Sequence, residues 1–207
     1  MKKALLLVSI LFISVISTAC INNFAVQELN NNAKTFMDKG DYKSAIERLK
    51  SSVDLDGSIF ETRYNLAVAY TKAEDYANAI DAYNEAIKLN PDFPDSYYSM
   101  AVCEENLAKD IISGNVNVSE NGSIIKAGES PEAGDDIEEA NDGDNDKLSG
   151  SELKLVSTLL TNSISDYKIY LDKAKQADDK DEVNAKIDEL EEMIAKYISL
   201  QPAKTSD

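Results

Sequence analysis

The chain contains no histidine and no tryptophan, and among its 207 residues there are only two cysteines and four prolines. Without histidine it lacks the commonest general base and the commonest transition-metal ligand, so any chemistry would rest on carboxylates alone. Two cysteines, Cys20 and Cys103, cannot form a disulfide framework. Basic residues are also scarce, with 21 Lys and Arg against 38 Asp and Glu and a formal charge of -17. Nucleic acid is thereby excluded as an expected partner, because phosphate binding needs clustered Lys and Arg. There is no phosphate-binding glycine loop and no nucleophile-elbow pattern, and nothing in the spacing selects a pair of acids. The chain is expected not to be an enzyme and to need no cofactor.

What is present begins with an apolar run. Lys2-Lys3 precede residues 4–16, and Ser17-Thr18-Ala19 lead to Cys20. A basic start, a short apolar stretch and small residues make an export signal, and the run is shorter than the roughly 20 residues of a spanning helix. A Cys directly after that pattern resembles a bacterial lipobox, with Ser17 where Leu is usual. The resemblance implies removal of residues 1–19, acylation (palmitate or a similar chain) of Cys20 as the first mature residue, and a tether over 20–25. It also implies lipid anchoring outside the cytoplasm, on the periplasmic face of an outer membrane or the outer face of the cytoplasmic membrane. The bland counterpart is ordinary cleavage that leaves a secreted chain.

The body of the chain repeats. Gly40-Asp41-Tyr42 with Ala45-Ile46 returns 34 residues later as Glu74-Asp75-Tyr76 with Ala79-Ile80. Such a period marks stacked supersecondary units that bury their apolar faces only against neighbours. The second unit is the clearest, with Leu66, Ala67 and Tyr70 on its first helix and Ala79, Tyr83, Ala86 and Pro91 on and after its second. This strongly resembles a tetratricopeptide repeat (TPR), and the chain is identified as a TPR lipoprotein of bacteria. The first unit runs from Val26 to Ile59 and departs from the family at Ser52, where Ala is usual, and at Gly57, where Pro is usual. Gly57 is expected to end its helix through a left-handed backbone.

Adding another 34 residues places Tyr97, Tyr98, Met100, Ala101 and Cys103 on the first helix of a third unit. A second helix does not follow. Residues 112–150 carry ten acids against Lys126 and Lys147, and so polar a stretch is expected to be a disordered acidic insertion. Helical spacing resumes at Leu153, and Ser163-Ile164, Tyr167 and Tyr170-Leu171 reproduce the second helix of unit two at an offset of 84. The expected architecture is therefore all-α: a short TPR-type solenoid of about three repeats, the third interrupted, plus a C-terminal capping helix. Residues 26–111 hold repeats one, two and the first helix of three. Residues 151–177 supply its second helix, 178–200 the capping helix and 201–207 a tail.

The TPR resemblance implies a ligand groove lined by the first helices. Carried over by repeat position, it consists of Asn30, Asn31, Lys34 and Met37, then Tyr64, Asn65, Val68 and Lys72, then Tyr98, Val102 and Glu105. Amides that pair with a peptide backbone, beside Tyr, Val and Met, suit an extended peptide or a partner helix. The filled-groove alternative has the last helix or the acidic insertion lying there. Asp95 and Ser99 stand where a clamp for acidic C-termini would need basic residues. Asp142, Asp144 and Asp146 with Glu152 resemble an EF-hand calcium loop with its central Gly deleted, and the alternative reading is an acidic linker. Cys103 takes the place of Ala69 and is expected to pack rather than react.

The function expected is a membrane-anchored extracytoplasmic scaffold that holds a protein or peptide, as an accessory to an envelope assembly, secretion or transport complex. The alternatives are a calcium-responsive lipoprotein and a structural surface lipoprotein without a dedicated ligand.

Overall fold

A computed structural model describes residues 23–119, 124–126 and 148–199. Among them run seven helices in order: α1 (23–38), α2 (Tyr42–Leu55), α3 (Phe60–Lys72), α4 (Tyr76–Leu89), α5 (Pro94–Ile112), α6 (Gly150–Lys173) and α7 (Lys180–Ser199). Helical backbone is already in place at residue 23, earlier than the start near Val26 read from the repeat. Val26 is itself buried, one turn inside the helix.

The 34-residue echo is a turn. After α1, the Gly40 N–H donates to the Met37 carbonyl and the Asp41 N–H to the Phe36 carbonyl; after α3, Glu74 and Asp75 make the same bonds to Thr71 and Tyr70. This is the six-to-one bonding of a helix that ends in a left-handed residue. Gly40 has φ 76° and Glu74 has φ 57°, so the glutamate adopts a conformation that costs a side-chain-bearing residue about 1 kcal/mol. Helix α5 lacks a stop at the equivalent place and continues to Ile112, where Gly114 (φ 72°) and Asn115 repeat the motif.

The links between repeats echo as well. Asp56 accepts from the Ser58 N–H at 2.9 Å, and Asn90 from the Asp92 N–H at 3.3 Å. Pro91 follows the α4 cap at Asn90, as its missing donor requires. Gly57 ends α2 differently from expectation. Positive φ occurs among the described residues at Gly40, Gly114 and Glu74, not at Gly57. Its lack of a side chain admits Arg63 instead: a Cβ there would meet the guanidinium at 2.9 Å, and Arg63 Nε donates to the Gly57 carbonyl at 3.2 Å.

The core has two parts. Small residues at helix crossings (Ala33, Ala45, Ala67, Ala69, Ala79) with Leu49, Leu66 and Tyr83 form the first, between α1 and α5. Val156, Leu160, Ile164 and Tyr167 of α6 with Ile111, Val183 and Leu190 form the second. Ser163, Ile164, Tyr167 and Tyr170 are all buried, as the offset of 84 from Ala79, Ile80, Tyr83 and Ala86 requires. The Ser163 hydroxyl donates to the Ala101 carbonyl, locking α6 onto α5. Helix α6 opens with a capping box between Ser149 and Glu152.

The segment expected to be wholly unstructured contains a short antiparallel pair, β1 (Val116–Val118) with β2 (Ile124–Lys126), in the register Val116 to Lys126. Its alternating Val116, Val118 and Ile124 pack on the second core. No described helix is long and apolar enough to cross a membrane. Residues 1–19, Cys20, most of the insertion and the tail 201–207 lie outside the described residues.

Candidate functional site

The odd-numbered helices lie side by side. Asn30 of α1 bonds Thr62 of α3 at 3.0 Å, the Cys103 Sγ of α5 lies 3.2 Å from Thr71 Oγ1 of α3, and Lys186 of α7 reaches Glu105 of α5 at 3.2 Å. The first helices of the hairpins thus form one layer, and α7 extends it as a fourth member.

Two depressions open along this layer. One, of about 470 Å³, lies between α1 and α3 and is lined chiefly by amides: Asn23, Gln27, Asn30, Asn31 and Asn65, with Thr62, Glu61, Val26 and Ile59. The other, of about 380 Å³, lies between α5 and α7 and mixes Ile112, Met193 and Tyr197 with Lys109, Lys196, Glu189 and Glu192. An amide carries both donors and an acceptor, so the first depression can match the alternating groups of an extended backbone without neutralising a charge.

The residues carried over by repeat position fall into three groups. Asn30, Asn31 and Asn65 share the first depression, and the latter two are exposed. Asn30 is held in place, its amide nitrogen 2.9 Å from Ser52 Oγ, 3.0 Å from Thr62 Oγ1 and 2.9 Å from the Val26 carbonyl. Ser52, the departure from the usual Ala, therefore serves to fix the groove amide.

Met37, Val68 and Tyr64 pack on the first core while remaining half-buried, and Lys34 and Lys72 are exposed. Tyr64 belongs to an aromatic cluster, stacked on Phe60 at 5.8 Å and edge-on to Phe93 at 5.2 Å and Tyr83 at 5.8 Å. Burial raises its hydroxyl pKa, so it is a neutral donor.

The third group is engaged by α6 and α7. Tyr98 sits 5.6 Å from the Tyr167 ring and 5.1 Å from that of Tyr170, and Val102 packs on the second core. Glu105 is withdrawn from solvent. Its carboxylate accepts from Lys109 at 2.6 Å, Lys186 at 3.2 Å and the Tyr167 hydroxyl at 3.1 Å. Burial opposes its ionisation, but the two lysines outweigh burial and hold its pKa below the usual range.

Sequence reasoning missed Asn23, Gln27 and Glu61, and all of the α7 lining. Gln27 and Glu61 are 34 residues apart and face the same depression, so the repeat itself was the signal. Met193 and Tyr197 stand on the helix read as a cap, where they pack on the second core and also line the second depression.

Cys103 is fully buried, and burial pushes its thiol up to about 11, which leaves it protonated and inert. No group of three or more acids, cysteines or histidines suited to a metal occurs among the described residues. Asp142, Asp144 and Asp146 lie outside them, and Glu152 accepts from the Ser149 N–H at 2.8 Å as part of the helix cap.

The comparisons agree with the fold. Residues 60–93, helices α3 and α4, match the tetratricopeptide repeat model. No curated protein matches the chain. Among solved structures, the first TPR of Spaghetti (RPAP3) bound to HSP90 peptide SRMEEVD is similar at a TM-score of 0.52 and 15% identity, over 82% of this chain and 93% of that one. The second TPR domain of human RPAP3, in complex with HSP70 peptide SGPTIEEVD, is similar at 0.53 and 15%, over 81% and 98%. The TPR domain of Arabidopsis OM64 is similar at 0.53 and 10%, also over 81% and 98%. At these identities the likeness concerns the fold. In fold, then, this chain is a TPR-type helical-hairpin solenoid with a split third repeat, carrying a tetratricopeptide repeat at residues 60–93.

Proposed function

We propose that the protein is a binding scaffold that takes an extended peptide or protein segment along its odd-numbered helices. The observation that carries this is the amide-lined depression between α1 and α3, where Asn31 and Asn65 are exposed and Asn30 is fixed by Ser52 and Thr62. A rigid amide matches a peptide group at little entropic cost. Similar TPR domains whose descriptions name a bound HSP90 or HSP70 peptide support the same reading. The role is one of holding rather than catalysis.

The scaffold is proposed to work outside the cytoplasm, tied to a membrane by an acyl chain on Cys20 once residues 1–19 are removed. Helix α1 is already formed at residue 23, so the tether spans at most about 11 Å. Partners are then envelope proteins or exported segments arriving at the bilayer, as in an assembly, secretion or transport complex. The test has two arms. Mass spectrometry of the mature N-terminus should find acylated Cys20, and Cys20→Ala should leave the membrane fraction. A photo-crosslinker at Val68 should capture a partner in native cells that Asn31→Ala with Asn65→Ala loses. An unmodified N-terminus sinks the anchoring, and capture unaffected by the amide changes sinks the groove.

A further inference from the structure

Two carboxyl groups meet in the interior between α5 and α6, and the binding function uses neither. Glu104 is 3% exposed and Asp166 8% exposed. The two side chains act on each other across the α5–α6 contact, with Asn162 of α6 beside Glu104. Ionised carboxylates are acceptors only, so two carboxyls can bond each other only with a proton on one of them. One oxygen of Glu104, Oε2, is buried with no hydrogen-bond partner. That is tolerable on a neutral acid and costly on an anion. By repeat position Glu104 stands where Phe36 and Tyr70 stand in the first two units. An aromatic would have filled that place without any charge.

Among the described residues, no cation figures in the charges that act on the pair. The charge acting on Glu104 is that of Asp166. On α5, neighbouring Cys103 is buried and neutral, and Glu105 is occupied by Lys109, by Lys186 from α7 and by Tyr167 from α6. Strand β1 contributes Val116 and Val118 to this core, and α4 contributes Tyr76, Ile80 and Ile87. Burial, with the charge of Asp166 added, pushes Glu104 up to about 9, and burial pushes Asp166 up to about 6.

The geometry points to a proton-operated latch across the split repeat: one proton shared by Glu104 and Asp166 holds α6 against α5, and its loss in alkaline conditions loosens the two helices. The latch falls where the fold is least constrained by connectivity. The hairpins α1–α2 and α3–α4 close through tight turns at Gly40 and Glu74, whereas α5 and α6 are joined through residues 113–149. Loop closure therefore favours the third hairpin less. Release of α6 would also carry away α7, which bonds Glu105 and walls the second depression.

Both groups have folded pKa values above their ordinary 4.5 and 3.8. Their stabilisation is thus complete below pH of about 4 and is lost as pH rises through the folded values, to about 9.

Thermal unfolding of the whole chain between pH 5 and 9 tests the latch, using wild type, Glu104→Gln, Asp166→Asn and the exposed control Glu47→Gln. The wild-type midpoint should fall with pH roughly 3 °C per pH unit more steeply than that of Glu104→Gln, whose side chain has no proton to lose. Asp166→Asn, which removes the neighbouring charge but leaves Glu104 buried, should make the curve less steep by a smaller amount and serves if the first variant does not fold. Glu47→Gln should run parallel to wild type, which separates the latch from general acidic repulsion. Amide exchange should show the pH-dependent opening in α5 and α6 and not in α1–α4. Parallel curves for wild type and both latch variants, or opening spread evenly over the chain, would overturn the proposal.

Discussion

Repeat one and the split third repeat both bury polar groups at their helix contacts, but they satisfy them differently. Between α1, α2 and α3 the buried polar set is neutral, with Asn30, Ser52 and Thr62 satisfying one another. Between α5, α6 and α7 it is ionisable: Glu105 with Lys109 and Lys186, and Glu104 against Asp166. A neutral network contributes its bonds at any pH, whereas an ionisable one contributes only over the range in which its members hold the right protons. Closure follows the same division, since the neutral hairpins have tight turns and the ionisable one has a long insertion. The solenoid therefore joins a half whose buried polar contacts are neutral to one whose buried polar contacts titrate, although both use the same hairpin.

The largest test of that division is cavity formation on either side. Leu49→Ala and Leu160→Ala each remove a fully buried side chain and should each cost about 3 kcal/mol. Followed by amide exchange, Leu160→Ala should deprotect α5–α7 while α1–α4 keep their protection; uniform loss would show that the halves are one cooperative unit.

Next in size is Glu105→Gln, which strips two lysines and a buried Tyr167 hydroxyl of their anion and should cost about 2 kcal/mol at neutral pH. Because the folded pKa of Glu105 is lowered, its contribution is present above its ordinary pKa and is lost as pH falls through the folded one. Denaturant melts of wild type and variant should converge in acid. Divergence there would mean that the lysines do not stabilise the carboxylate.

In the neutral half, Ser52→Ala restores the residue usual for the family and should nevertheless destabilise by about 1 kcal/mol, because the Asn30 amide loses a partner. It should also weaken capture at the α1–α3 depression. The smallest effects lie at the paired turns. Glu74→Gly should stabilise by about 1 kcal/mol, and Gly40→Ala should destabilise by a similar amount with no steric contribution, since a Cβ at Gly40 meets nothing within 4 Å. Equal and opposite shifts in melting midpoint would confirm that the two turns are energetically the same object.

Much of the architecture was legible because each repeat position has one packing job. Tyr42 and Tyr76 begin α2 and α4, and the buried set Ser163, Ile164, Tyr167 and Tyr170 places α6 in register across the insertion. What was not legible depends on partners far apart in sequence. Glu104 and Asp166 read as two acids in an acidic chain until the packing of α6 on α5 brings them together. Glu105 reads as groove lining because its repeat position says so, and Lys186, which withdraws it, is on a helix outside the three repeats. The pairing of Val116–Val118 with Ile124–Lys126 involves too few residues to stand out from a polar stretch. The groove amides were legible in part, since Asn30, Asn31 and Asn65 follow from the period and Asn23 lies just before its first unit.

Cys103 gives the fold a built-in clock. Its thiol is fully enclosed where α3 meets α5, 3.2 Å from the Thr71 hydroxyl, and burial keeps it protonated. A thiol reagent must wait for that layer to part, so the rate of labelling in a Cys20→Ala chain counts openings of the groove layer directly, without an added probe. A ligand that lies across α3 and α5 would slow it.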